Sequence, residues 1–148
     1  MKLTDALLGE HGAFYAQFDR LEGLPESTPA PEVREQAALL AAALVTHAHL
    51  EDELLFDRMR TSGADAGLLD TMEEEHRTIA GLLERAQGTS QGPQALGHLL
   101  EAVTLAREHF AKEERMAFPL AESLLGAGAL TQLGERWSER RAVFLGGG

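Results

Sequence analysis

The chain has 148 residues, no cysteine, and 24 acidic against 13 basic side chains, a formal net charge of −11. This length suits one compact domain, and the acidic balance argues against nucleic acid or an anionic membrane as partner. Without cysteine there is no disulfide framework, thiolate metal site or cysteine nucleophile, which leaves nitrogen and oxygen donors for any metal chemistry.

Alanine, leucine and glutamate dominate and β-branched residues are scarce, a balance that favours helix over strand. The first segment, MKLTDALLGEHG, carries acidic residues where a secretory leader needs an apolar run, so a cytoplasmic location is expected. It opens a helix predicted over 4–22, with the apolar stripe Leu3, Leu7, His11, Phe14, Phe18, Leu21. The turn LPESTPAP (24–31) leads into a second helix over 31–60, with Pro31 as a first helical residue and the stripe Leu40, Leu44, His47, Glu51, Leu54. After TSGADAG (61–67) a third helix covers 66–87, with Leu69, Met72, His76, Ile79, Leu83 on one face. GTSQGP (88–93) precedes a fourth over 93–125, with Ala102, Ala106, His109, Glu113, Met116, Leu120, and Pro119 as a point of kinking or shortening. Beyond a weaker break at GAG (126–128) lies a short amphipathic segment, 129–143, bearing the only tryptophan, Trp137. The terminal glycines, 146–148, are expected to be a disordered tail after a domain over 1–145. Short loops between four long helices imply an all-α, antiparallel up-down-up-down four-helix bundle with a short C-terminal helix. No apolar run approaches the ~20 residues of a membrane helix.

Each of the four stripes is interrupted by a histidine, and two also by a glutamate. Glu10-His11-x-x-Phe14 is echoed by Glu75-His76-x-x-Ile79, and His47-x-x-x-Glu51-Asp52-x-x-x-Phe56 by His109-x-x-x-Glu113-Glu114-x-x-x-Phe118. The echoes are offset by 65 and 62 residues, which reads as a duplicated helical hairpin. Burying six ionisable groups without partners costs several kcal/mol or forces them neutral. A metal removes that cost by taking imidazole nitrogens and carboxylate oxygens directly. Histidine and glutamate at i, i+4 lie about 40° apart on one helix face, so both reach one ion or bridge to a neighbour. Four imidazoles and two carboxylates exceed a tetrahedral zinc site and suit two ions sharing two carboxylates. The expected arrangement has His11 with His47 on one ion, His76 with His109 on the other, and Glu51 and Glu113 as bridges.

A lone core histidine is more often a hydrogen-bonded structural residue than a ligand; six groups in register across two halves reverse that balance. His49 points away from His47, and His98 lies about 16 Å along the helix axis from His109, so both stand outside the set. Tyr15 follows His11 on the same side as an ordinary half-buried tyrosine or a hydrogen-bond donor near the centre. The run Glu73-Glu74-Glu75 is a solvated face in which Glu73 or Glu75 is placed to hold a ligand histidine.

These motifs, together with Phe118-Pro119, resemble the hemerythrin-like (HHE cation-binding) family over nearly the whole chain. The resemblance implies a non-haem di-iron centre, oxo- or hydroxo-bridged, with His11, His47, Glu51, His76, His109 and Glu113 as ligands; other divalent metals are an alternative. It implies oxygen, redox or iron sensing or handling, with O2, peroxide or NO as ligand. Oxygen-carrying members have another histidine one turn before the third-helix histidine, where this chain has Met72. They also place an aspartate five residues after the last histidine, where this chain has Glu113 four after His109. The site therefore resembles the four-histidine variant of the family. A monomer is expected, with weak self-association as the alternative. The competing reading is a ferritin-like di-iron oxidase or peroxidase, whose bundles carry paired Glu-x-x-His motifs; only Glu73-x-x-His76 fits that pattern here. No nucleophile triad or phosphate loop is present to indicate another catalytic chemistry.

Overall fold

The computed structural model describes residues 1–143, all of whose regular structure is helical; the expected glycine tail lies outside the described residues. The helices are α1 (Leu3–Glu22), α2 (Ala30–Leu50), α3 (Asp57–Thr61), α4 (Ala66–Gly88), α5 (Gly92–Lys112) and α6 (Phe118–Arg141). Two π-helical turns, Glu51–Phe56 and Glu113–Ala117, join α2 to α3 and α5 to α6 without interrupting either rod. Four long rods result, as the turn residues predict. Pro31 and Pro93 sit in the first turns of α2 and α5, where a missing amide costs nothing. Asp65 caps α4 by accepting a hydrogen bond from the Gly67 amide at 3.0 Å.

The apolar stripes meet in two separate clusters. One gathers Phe14, Phe18, Leu40, Leu83, Leu99 and Phe110 towards the α1–α2 loop. The other gathers Leu7, Leu55, Phe56, Met72, Leu130 and Trp137 towards the opposite end. Burial of each large side chain contributes about 1.5–3 kcal/mol. Between the clusters lies a layer of histidine and glutamate.

The two π turns change the register of everything after them. Each contains one residue more than an α turn, which rotates the downstream face by about 100°. Met116, expected on the buried stripe, is therefore 53% exposed, while Ala117, Phe118 and Ala121 turn inward. The same shift brings Leu55, Phe56 and Met59 into the core. Pro119 does not shorten its rod, because it is the second residue of α6, just past the second π turn, where a missing amide costs little. The break falls at Gly126, within the expected GAG break, and its φ of 78° lies in the left-handed region that favours glycine.

Past this break, α6 folds back along α1. Gly134 passes so close to the N-terminus that an added Cβ would lie 2.0 Å from the Met1 carbonyl oxygen and 3.2 Å from the Leu3 amide nitrogen. Gly134→Ala should therefore destabilise the fold by about 1–3 kcal/mol, as overpacking against backbone does. Urea unfolding checks this: the midpoint should fall with an unchanged slope, and an unchanged midpoint would mean that the crossing adapts freely.

Candidate metal centre

The buried layer is built from the repeated motifs. His11 comes from α1, His47 from the last turn of α2, His76 from α4 and His109 from the last turn of α5. Glu51 and Glu113 are each the first residue of a π turn. This places each carboxylate one turn beyond its histidine at the point where the rod widens. Five of the six groups are at most 1% exposed; His76 is 11% exposed.

The structure brings all six together in two overlapping groups. His11, His47, Glu51 and Glu113 form one, and Glu51, His76, His109 and Glu113 the other; in each, four potential donor atoms lie within 4.8 Å of one another. Glu51 and Glu113 belong to both. Imidazole and carboxylate approach closely within the groups: His76 Nε2 to Glu51 at 3.1 Å, His109 Nε2 to Glu113 at 3.1 Å, His11 Nε2 to Glu113 at 3.5 Å and His47 Nε2 to Glu51 at 3.6 Å. Yet the Nε2 atoms of all four histidines and both oxygens of Glu51 and Glu113 are buried without a hydrogen-bond partner. Such orphaned atoms are rare in folded proteins and costly when they occur. Convergent, unsatisfied nitrogen and oxygen donors of this kind fit a metal ion.

Carboxylates from the same motifs face the Nδ1 atoms. Glu10 lies 3.0 Å from His47 Nδ1 and Glu75 lies 2.9 Å from His109 Nδ1, both in hydrogen-bonding geometry. Asp52 lies 3.3 Å from His76 Nδ1 and Glu114 lies 3.7 Å from His11 Nδ1. A carboxylate on the far nitrogen fixes the ring's orientation and makes it a better donor. Of these four, only Glu75 is singled out by the sequence reading. The others had a signal there: Glu10, Asp52 and Glu114 adjoin a predicted ligand, as Glu75 does. Each faces a histidine on a different helix, a pairing that adjacency along the chain does not reveal. Glu73, half-buried at the cleft, instead ion-pairs with Arg60 at 2.6 Å. Tyr15 donates to Glu114 at 2.5 Å, which ties it to the carboxylate facing His11.

The electrostatics are those of a crowded buried layer. Burial, with the neighbouring His47 charge, lowers the His11 pKa to about 4. Burial also acts to lower His76, but Asp52 and Glu51 outweigh it and raise that pKa to about 10. For His47, burial is outweighed by Glu10 and Glu51, and for His109 by Glu113, so both are raised. Burial and the Glu113 charge push Glu51 up. Glu113 would also rise on burial, but Glu51 and His109 hold it down. Burial and Glu114 raise the Tyr15 hydroxyl.

A cleft of about 340 Å³ between α2 and α4 reaches His47, His76 and His109. Leu44, Ile79, Leu83, Ala106 and Phe110 contribute apolar wall. His49, exposed as expected, stands on its rim with Arg77, while His98 lies outside the cluster. Met72 is buried in the apolar cluster one turn before His76.

Comparison with curated proteins and with solved structures gives no match. The family model of the hemerythrin HHE cation binding domain matches residues 2–121. That span contains all six inward-facing groups and all four carboxylates behind them. The chain belongs to the hemerythrin HHE cation-binding domain family, and its buried histidine–glutamate groups are of a kind that can hold a metal ion.

Proposed function

We propose that this protein holds two iron ions in the His4Glu2 layer and uses them to sense or handle O2, peroxide or NO as a cytoplasmic monomer. One observation carries this reading. Two donor groups share two carboxylates, and their inward-facing atoms lack any other partner. His11 and His47 would hold one ion, His76 and His109 the other, and Glu51 and Glu113 would bridge them. Iron in this setting supplies one-electron redox chemistry and positions open to a small exogenous ligand.

The protein's own contribution is orientation and access. Glu10 and Glu75 hold the His47 and His109 rings through their Nδ1 atoms, and Asp52 and Glu114 lie beside those of His76 and His11, while the two apolar clusters keep bulk water from both ends of the layer. The cleft between α2 and α4 gives a small molecule a route to the His76 and His109 side, where the one partly exposed histidine of the layer lies. The ferritin-like oxidase reading loses its single matching motif, because Glu73 of Glu73-x-x-His76 is engaged by Arg60 outside the layer.

Aerobically purified protein should contain about two iron ions per chain and show near-ultraviolet absorption of an oxo- or hydroxo-bridged ferric pair that changes on adding dithionite. Stoichiometric zinc alone, or no bound metal, would overturn the di-iron reading.

A further inference from the structure

The four carboxylates behind the histidines are not equivalently held. Glu75, behind His109, is paired with Lys112 of the neighbouring α5. Glu10, behind His47, is instead gripped from the far end of the chain. Arg141 donates to both of its oxygens, with contacts of 2.8, 2.8 and 3.1 Å, and the Trp137 indole N–H donates at 3.2 Å. Glu10 is 15% exposed, Arg141 26% and Trp137 9%. A half-buried carboxylate with a two-pronged guanidinium and an indole donor loses rotational freedom, because the fork is planar and the indole is packed in the core cluster.

Both donors lie beyond residues 2–121, the span shared with the family. They reach Glu10 because α6 breaks at Gly126 and folds back on α1, where Gly134 permits the close crossing. The helix ends directly after Arg141, with Ala142 in a left-handed cap at φ 54°. The network therefore runs from the C-terminal turn through Glu10 to the Nδ1 of His47.

We propose that Arg141 and Trp137 are positioning residues for the His47 half of the centre, acting through Glu10, so that the C-terminal helix makes the two halves unequal. The proposal rests on the metal-binding reading, but the contact it describes is made entirely by side chains of this protein. It is tested on the full chain with Arg141→Gln, Trp137→Phe and, as the counterpart in the other half, Lys112→Gln.

In metal-free protein, Arg141→Gln should shift the His47 imidazole nitrogen resonances and leave those of His109 in place, whereas Lys112→Gln should do the reverse. In iron-loaded protein, Arg141→Gln should make release to a chelator biphasic, with one ion leaving about tenfold faster. Trp137→Phe, which keeps the packing and loses the donor, should give a smaller change in the same direction, and Arg141→Lys should restore part of the wild-type behaviour. If Arg141→Gln moves His47 and His109 equally, or neither, the proposal is overturned, whatever metal the protein carries. If wild-type protein takes up no metal but His47 alone responds, the positioning role stands and the metal-binding reading fails.

Discussion

Stripping the metal from loaded protein should lower its melting temperature by more than ten degrees. A ligand bound only to the folded state and present at a thousand times its dissociation constant adds about 4.1 kcal/mol per site. For a domain of this size one kcal/mol shifts the midpoint by about 2–4 °C, so even one ion is worth roughly 8–16 °C. The sign follows from the layer itself. Without an ion, Glu51 and Glu113 are fully buried side by side, and their oxygens and the inward nitrogens have no hydrogen-bond partner. With one, the same atoms become ligands and the desolvation already incurred is offset. A thermal scan before and after chelation, with iron added back, measures the effect. Coincident melting curves would mean that the layer is stable by other means.

The second large effect separates the glutamates from the histidines. Glu51 and Glu113 belong to both donor groups, whereas each histidine belongs to one. Glu51→Ala or Glu113→Ala should therefore abolish uptake at both positions and remove the response of the melting temperature to metal. His11→Ala leaves the group Glu51, His76, His109, Glu113 whole and should retain about one ion per chain. Iron content per chain, measured on the three variants side by side, decides it. Equal losses across the set would argue that the groups do not act as two sites with shared bridges.

The helices, the stripes and the six inward-facing groups were legible in the sequence because each obeys a local period. Turn residues mark the rod ends, steps of three and four mark the faces, and ionisable residues on those faces stand out against leucine and alanine. The π turns were not legible in the same way, since i, i+4 spacing from His47 to Glu51 and from His109 to Glu113 looks identical in an α-helix. Their only trace lay further on: in a straight α-helix Phe56 falls about 180° from His47, an implausible place for a large buried aromatic. Extending the α period through the second turn put Met116 on the wrong face for the same reason. The role of Arg141 left no sequence signal, because Glu10 and Arg141 are joined only by the fold-back of α6, and nothing in a charged residue on a short helix announces a partner 131 positions away.

The repeat also bears on what a part of this chain can do. The hairpin of α1 and α2 supplies His11, His47 and Glu51, and that of α4 and α5 supplies His76, His109 and Glu113. Each group of four draws three donors from one hairpin and a single glutamate from the other. Neither hairpin completes a group alone, and two copies of either, related by a two-fold axis, would present the same six donors. The single chain thus has the ligand plan of a symmetric dimer whose two members have been joined in series. Joining them lets one half differ from the other, as the contacts of Glu10 with Arg141 and of Glu75 with Lys112 do.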